Sequence, residues 1–301
     1  MLTDGGTGAE LSARGVESKD TIWSANALLV APEEVYRIHR DYIEAGARMI
    51  IANTYGVIKA NLALEGLEER FAELNQLACD LALKARDDSG EDVIIAGSLP
   101  PLAGSYRPDL VRDYDVILSL YYEQASILSQ KVDILLCETM STAKEAKAAA
   151  QGACPFGLPV WVSWTLHEDR SGRLRSGETI KDAFHALEGI PVSGVLANCC
   201  APESITSAMP ELESLPVNIV GGYANTFNPV PENWVLDTKS GLDENNMCRE
   251  DLDPEQYAWH VSRWIDLGAN VVGGCCGTGP DHIAELKQLI ETKKYKLKSG
   301  K

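Results

Sequence analysis

The feature that most constrains the fold is a series of eight short apolar runs, most of them followed by a helical pattern. The runs are rich in Val and Ile and are continuous rather than alternating, which is typical of strands buried on both faces of a parallel sheet. Eight β–α units in 301 residues predict an α/β fold, a (β/α)8 TIM barrel, as one domain over 1–301. An open doubly wound sheet is the runner-up. The predicted strands are Leu2–Asp4, Met49–Thr54, Val93–Leu99, Val132–Thr139, Val160–Leu166, Val195–Cys199, Val217–Ala224 and Asn270–Cys275.

Helix ends and loops fit the same scheme. Pro32 suits a first helical position and Gly46 suits a stop, so they predict one helix between them. The stretch Phe227–Asp253 is long and polar, and loops of that length in compact domains are often functional. The basic segment at 291–301 predicts a disordered tail.

The charge and the cysteine content limit the partners and the compartment. The net charge of −17 argues against nucleic acid or an anionic membrane as a partner, because both require clustered Lys and Arg. No apolar stretch reaches the ~18 residues that span a bilayer, and no export signal is visible. We therefore expect a cytoplasmic protein whose eight cysteines are reduced, so that metal binding is favoured over disulfides.

Polar residues recur where the predicted strands end. In a (β/α)8 barrel these carboxyl ends form one rim, and the active site lies there. We therefore expect the residues to share a site. They are Asp4, Asn53, Thr54, Glu138, Thr139, Asn198, Cys199, Tyr223, Asn225, Cys275 and Cys276.

Three of these rim residues are thiols. Cys275 and Cys276 end the last run within a Gly-Gly-Cys-Cys-Gly segment, and Cys199 ends the sixth. Three cysteines that converge from strand ends predict a Zn²⁺ site with one open position, which suits activation of a substrate thiol. Buried structural cysteines and a Cys275–Cys276 disulfide are the alternatives. Cys199 is favoured over its neighbour Cys200 because it directly follows Asn198 on the strand.

Taken in order, several segments give the chain a family resemblance that spans nearly its whole length. It resembles the zinc-dependent homocysteine S-methyltransferases. The Gly-Gly-Cys-Cys-Gly segment is highly specific, and the other matching segments are individually weak. The segments are Asp4-Gly5-Gly6, Trp23-Ser24, His39 to Ala47, Asn53-Thr54-Tyr55, Cys137-Glu138-Thr139, Asn198-Cys199 and Gly273 to Gly277.

The resemblance implies a homocysteine-binding barrel with zinc on the same three cysteines. The same resemblance implies that Glu138 binds the amino group of homocysteine. Backbone amides near Gly5 and Gly6 hold the amino acid together with Thr54, and Asp4 shapes that pocket. The activity implied is transfer of a methyl group to the zinc-activated thiol of homocysteine, which gives methionine.

The methyl donor is expected to be an onium compound, because its positive charge makes the methyl group labile. A sulfonium such as S-methylmethionine or S-adenosylmethionine is favoured. Aromatic faces attract such a cation, and Trp23, Tyr55 and Tyr223 are the candidates. Tyr223 and Asn225 match a Tyr-Pro-Asn segment of the family, although Ala224 replaces the proline here.

Two departures from the family pattern argue against betaine as the donor. Betaine-using members have a tyrosine after the strand-four glutamate, where this chain has Thr139, and an aromatic residue where it has Gly56. The cobalamin-dependent methionine synthases add further domains to a similar barrel, and from the 301 residues of this sequence we expect no cobalamin domain. A zinc barrel hydrolase is an alternative function, but it favours His and carboxylate ligands. A non-catalytic zinc-binding or redox-sensing protein is another, but it does not need Asp4 and Glu138 on the rim.

Overall fold

The computed structural model describes residues 1–19, 21–230 and 248–299. Within these residues seven parallel strands form one sheet, and each strand pairs with the next along the chain. This sequential order contradicts the doubly wound alternative, in which the strand order reverses midway. The predicted α/β class is confirmed. The strands are Met49–Ile51 (β1), Ile94–Leu99 (β2), Ile134–Met140 (β3), Val160–Trp164 (β4), Val192–Asn198 (β5), Ile219–Ala224 (β6) and Val271–Gly274 (β7).

The first predicted strand, Leu2–Asp4, makes only isolated bridges. Leu2 bridges Val272 of β7 and Thr3 bridges Met49 of β1, both in parallel. The Thr3 amide donates to the Val272 carbonyl at 2.8 Å, and the Asp4 amide donates to that of Met49 at 3.1 Å. The run is short and two glycines follow it at once, so its pairing ends before a regular ladder forms. It nevertheless contacts both edge strands.

Helices follow most of the strands. Three short 3₁₀ helices add to them at Glu68–Arg70, Pro108–Leu110 and Cys154–Phe156. The α-helices of the described residues are Thr7–Ala13 (α1), Asn26–Val30 (α2), Pro32–Ala45 (α3), Lys59–Leu64 (α4), Phe71–Ser89 (α5), Tyr114–Leu128 (α6), Ala143–Ala153 (α7), Ile180–His185 (α8), Pro202–Glu213 (α9), Pro254–Asp266 (α10) and Pro280–Ser299 (α11).

Local signals fix several helix ends. As predicted, α3 begins at Pro32 and ends before Gly46, whose φ of 121° suits glycine. The Thr142 side chain caps α7 by accepting from the Glu145 amide.

The last helix, α11, continues to Ser299. It therefore runs through most of 291–301, the segment that was predicted to be a disordered tail. Buried Ile283 and Leu286 hold its first half against the core, and Lys293 donates to the Ser262 carbonyl of α10.

Two apolar layers lie on the two sides of the sheet. Ile134 and Leu136 of β3 belong to a small cluster inside the curled sheet, whereas Leu135 and Cys137 pack in the large layer between the sheet and the helices. Successive side chains of a strand point to opposite faces. Glu138 therefore continues the inner series, which carries its carboxylate to the inside of the carboxyl-terminal rim.

Candidate functional site

Three thiols converge at the carboxyl ends of β5 and β7. Cys199 follows β5, and Cys275 and Cys276 follow β7. The Cys199 Sγ lies 2.8 Å from the Sγ of Cys275 and 3.7 Å from that of Cys276. Across the described ranges this is the one group of three potential metal ligands, and its ligand atoms all lie within 4.8 Å of one another.

The end of β6 fixes the two thiol-bearing turns relative to each other. The Cys199 amide donates to the Tyr223 carbonyl at 3.1 Å, and the Cys275 amide donates to that of Ala224 at 2.8 Å. Cys199 adopts a left-handed conformation with φ of 51°, which is costly for a residue with a side chain. Such strain clusters at functional sites, where the surrounding structure enforces it.

Neither alternative for the cysteines, a Cys275–Cys276 disulfide or buried structural thiols, accounts for the cluster. All eight are free thiols, so Cys275 and Cys276 are not bridged. Cys200 is fully buried in the layer between the sheet and the helices, and burial raises the pKa of its thiol. The structure therefore brings Cys199 to the cluster and leaves Cys200 outside it.

Hydrogen bonds link the protonation states of the three thiols. Hydrogen bonds from Cys275 and Cys276 lower the pKa of Cys199, and donation to Cys199 raises the pKa of Cys275. Three thiolates this close repel one another, so the cluster holds them together only around a cation. Thiolates at strand ends are ligands that Zn²⁺ takes.

A cavity of about 70 Å³ opens beside the thiol cluster. Trp23 and Tyr55 meet edge to face on its wall, with ring centroids 6.2 Å apart. Eight of the predicted site residues line it, namely Gly5, Gly6, Trp23, Asn53, Tyr55, Glu138, Tyr223 and Cys275.

A second cavity, of about 530 Å³, is also lined by Trp23. Glu10, Phe227 and Cys276 also line it. Trp23 therefore lines both cavities, and each cavity is also lined by one cysteine of the thiol cluster. Most of the predicted functional loop Phe227–Asp253 lies outside the described residues, because 231–247 fall in the gap.

Glu138 is the charged group of the smaller cavity. It is 5% exposed, and it accepts hydrogen bonds from the hydroxyls of Ser98 and Tyr223, the latter at 2.9 Å. Burial raises the pKa of Glu138 to about 7, although both hydrogen bonds oppose that shift. A cationic group in the cavity favours the ionised carboxylate.

Asp4 lies behind this cavity with one oxygen unsatisfied. Its Oδ2 accepts from the Ile51 amide at 2.8 Å, whereas Oδ1 is buried without a hydrogen-bond partner in the described structure. Burial raises the pKa of Asp4, and the charge of Glu138 raises it further. A cation bound nearby would favour the ionised form of both carboxyl groups.

Other predicted residues have different surroundings. The Gly6 amide, which was predicted to hold the amino acid, donates to the Thr278 carbonyl at 3.0 Å within the protein. The Thr54 hydroxyl bonds to the backbone of Ser98 in both directions, at 2.9 and 3.1 Å, and does not line the cavity. Asn225 is buried, and its side-chain oxygen accepts from the Phe227 amide at 3.3 Å.

Sequence reasoning missed two residues of the site. Ser98 contacts Glu138, and its position two residues after inward-facing Ala96 of β2 was a usable signal. The Tyr106 hydroxyl lies 2.9 Å from the Cys199 Sγ. Tyr106 belongs to an irregular loop after β2, and no periodic pattern marks it.

A curled parallel sheet with a thiol cluster and a carboxylate-lined cavity at its carboxyl rim defines a class: an α/β enzyme whose candidate metal centre faces a small-molecule pocket. Comparison with known proteins gives the family. The homocysteine S-methyltransferase family model matches residues 1–290. The chain belongs to this family, which confirms both the resemblance and the enzyme class expected from the sequence.

The similarity between this chain and individual relatives extends over almost the whole length of each relative. The homocysteine S-methyltransferase of Escherichia coli K12 is 30% identical, and the match covers 95% of this chain and 94% of the relative. A selenocysteine Se-methyltransferase of Brassica oleracea is 24% identical over 99% of this chain and 91% of its own. The metallated crystal form of the E. coli homocysteine methyltransferase MmuM superposes with a TM-score of 0.79 at 29% identity, covering 96% of both chains. No helix within the described ranges is long and apolar enough to cross a membrane.

Proposed function

We propose that this protein transfers a methyl group from a sulfonium donor to the thiol of L-homocysteine, giving methionine, with zinc held by Cys199, Cys275 and Cys276. The observation that carries the proposal is the cluster of three thiols beside a cavity whose charged group is Glu138. A thiol ligand cluster suits a sulfur nucleophile, and a buried carboxylate suits an amino acid's ammonium group.

The cysteines fit zinc by their chemistry and their spacing. Zn–S bonds of about 2.3 Å place tetrahedral ligands roughly 3.8 Å apart. The separation of 3.7 Å between the Sγ atoms of Cys199 and Cys276 agrees with this value, and the 2.8 Å pair with Cys275 opens by about 1 Å to reach it. When bound, the metal supplies an open position that keeps a substrate thiol deprotonated at neutral pH.

The smaller cavity supports homocysteine as the acceptor. Glu138 faces the cavity and presents its carboxylate to the ammonium group, while Ser98 and Tyr223 hold that carboxylate in place. The buried Oδ1 of Asp4, which has no hydrogen-bond partner in the described structure, is a further polar acceptor next to Gly5 of the cavity wall. Cys275 lines the same cavity, so an amino acid anchored at Glu138 directs its thiol toward the metal centre.

The tight backbone around the cavity supports the same orientation. A Cβ at Gly6 would lie 2.7 Å from the Cys275 carbonyl oxygen, and one at Gly5 would lie 2.7 Å from that of Thr278. Only glycine permits these approaches. The first turn of the chain therefore packs directly on the turn that carries the thiols, so the part of the cavity wall formed by Gly5 and Gly6 lies next to the candidate metal centre.

The donor is assigned to the larger cavity, whose wall includes Cys276 and Trp23. The indole face attracts a sulfonium methyl group. As the substrate sulfur attacks, its electron pair forms the new S–CH₃ bond, and the donor's C–S pair leaves with the neutral thioether. The protein's contribution is to align the two sulfur atoms with the methyl carbon between them.

Two positions favour a sulfonium over betaine. A Cβ at Gly56 would lie 2.7 Å from the Ile22 carbonyl oxygen, so no aromatic side chain fits there. Thr139 is fully buried, and both its amide and its hydroxyl bond to the Asn198 side chain, at 2.9 and 2.8 Å. Neither position can enclose a trimethylammonium group, and an amine is also a poorer leaving group than a thioether.

The same proposal includes the architecture. Because Leu2 and Thr3 bridge β7 and β1, we propose that the Leu2–Asp4 segment closes the sheet into an eight-stranded barrel as one domain. The free thiols of the metal centre suit a reducing compartment such as the cytoplasm.

A donor and acceptor panel tests the proposed function. The zinc-loaded protein is supplied with S-methylmethionine, S-adenosylmethionine or betaine at equal concentration, with homocysteine or selenocysteine as acceptor. Formation of the methylated acceptor, followed with a donor whose transferable methyl group is labelled, is expected to be fastest with homocysteine and a sulfonium. Fastest turnover with betaine would contradict the donor assignment, and no methylation of either acceptor would contradict the function itself.

A further inference from the structure

Tyr106 contacts the candidate metal centre from outside the substrate cavities. Its hydroxyl oxygen lies 2.9 Å from the Cys199 Sγ, and its ring packs with Cys199 and Val230 in a small apolar cluster. The side chain is 5% exposed, and the backbone is left-handed, with φ of 65°. A non-glycine residue held in this conformation against a thiol indicates a position that the fold enforces.

The direction of this hydrogen bond follows from metal binding. A cysteine that ligates a metal is a thiolate and carries no proton. The phenol of Tyr106 must then be the donor, and the Cys199 sulfur must be the acceptor. A hydrogen bond to a thiolate withdraws electron density from the sulfur, which weakens its donation to the metal.

We propose that Tyr106 is a positioning residue that weakens the bond from Cys199 to the metal and thereby strengthens the hold on the fourth ligand, the substrate sulfur. This inference rests on the proposed function. Three thiolates make a metal ion a poor Lewis acid, because their negative charge reduces its affinity for a further anionic sulfur. A hydrogen bond to one of them restores part of that affinity, as groups that contact metal ligands commonly do.

A buried ion pair stabilises the Tyr106 ring. The guanidinium carbon of Arg175 lies 4.9 Å from the ring centroid, and Arg175 forms a 2.8 Å ion pair with Glu168. The two side chains are only 4% and 14% exposed. A cation over the ring holds it in place and makes the phenol a stronger hydrogen-bond donor.

The neighbouring residue anchors the same loop at the substrate cavity. The hydroxyls of Ser105 and Tyr55 lie 2.6 Å apart, and Tyr55 lines the smaller cavity. Two consecutive loop residues thus contact the acceptor cavity and the thiol cluster. These two contacts hold the loop in place at Ser105 and Tyr106.

The test uses the cobalt-substituted protein and the variants Tyr106→Phe and Arg175→Lys. The matched control is Tyr121→Phe, which also removes a buried tyrosine hydroxyl. That hydroxyl donates to the Pro100 carbonyl at 3.0 Å and does not contact the thiol cluster. In Tyr106→Phe the thiolate-to-cobalt charge-transfer band is expected at longer wavelength, because Cys199 becomes more electron-rich. Homocysteine, titrated by the same band, is expected to bind about tenfold more weakly.

The zinc enzyme gives an independent readout. Tyr106→Phe is expected to raise the KM for homocysteine while changing kcat little, and Arg175→Lys is expected to show a smaller shift of both the band and KM. A band and an affinity in Tyr106→Phe that match those of Tyr121→Phe overturn the inference. Loss of cobalt from Tyr106→Phe also overturns it, since Tyr106 then retains the metal rather than tuning it. Absence of a homocysteine-dependent change in the unmodified protein contradicts the proposed function instead.

Discussion

Replacing Glu138 by Gln tests the acceptor site, because it removes the charge and preserves the size of the side chain. In the proposed complex Glu138 makes a charge-assisted hydrogen bond to the ammonium group inside a buried cavity. Such a bond contributes roughly 1.5–3 kcal/mol. Each 1.4 kcal/mol corresponds to about a factor of ten. We therefore expect KM for homocysteine to rise about ten- to a hundredfold, with the zinc content unchanged.

The pH dependence provides a sharper form of the same prediction. Burial raises the pKa of Glu138 to about 7, and only the ionised carboxylate pairs with the ammonium group. In the unmodified protein kcat/KM for homocysteine should therefore fall as the pH decreases below 7, and this part of the profile should be absent in Glu138→Gln.

Glu145→Gln is the matched control for both measurements. Burial also raises the pKa of Glu145 to about 7, but this residue accepts from Ser141 at the start of α7. An unchanged KM and pH profile in Glu138→Gln, or equal changes in the two variants, would refute the reasoning.

Three further changes address other parts of the site and the core. Cys199→Ala should lose most of the zinc, whereas Cys200→Ala should retain it, as metal analysis of the two purified proteins would show; equal zinc in both contradicts the ligand assignment. Tyr223→Phe removes a hydrogen bond that favours the ionised form of Glu138. The decrease of kcat/KM at acidic pH should then begin at a higher pH than in the unmodified protein. An unchanged pH profile would contradict the predicted effect of this hydrogen bond on Glu138. Burial lowers the pKa of His39 from 6.5 to about 4. Between these two pH values His39 is therefore neutral in the folded protein but protonated in the unfolded chain. Stability should therefore fall as the pH decreases from 6.5 toward 4, by up to about 3 kcal/mol. In His39→Leu the urea midpoint of the metal-free protein should lose this dependence, and a slope equal to that of the unmodified protein contradicts the assignment.

Much of the thiol cluster could be predicted from the sequence, because parallel strands bring their carboxyl ends to one edge of a sheet. This rule placed Cys199 near Cys275 although the two are 76 residues apart (275 − 199). The same rule placed Glu138 on the rim, and the two-residue period of β3 then decided that it faces inward. Patterns of burial therefore predict which residues meet, provided that they lie on regular elements.

Contacts made by loops and hydroxyl groups were not accessible in the same way. Thr54 was expected to hold substrate, but its small side chain reaches the backbone of Ser98 instead. Tyr106 depends on the path of an irregular loop with a left-handed residue, which no sequence period encodes. The Leu2–Asp4 run was predicted as a strand from its apolar character, yet it has too few residues before Gly5 to form a ladder.

X-ray absorption at the zinc edge tests the central claim most directly, because it counts the sulfur atoms around the metal. The claim is that Cys199, Cys275 and Cys276 hold zinc and leave one position for the substrate thiol. Three sulfur neighbours are predicted in the zinc-loaded protein, and four after homocysteine is added. A sulfur count that stays the same on adding homocysteine would contradict the account.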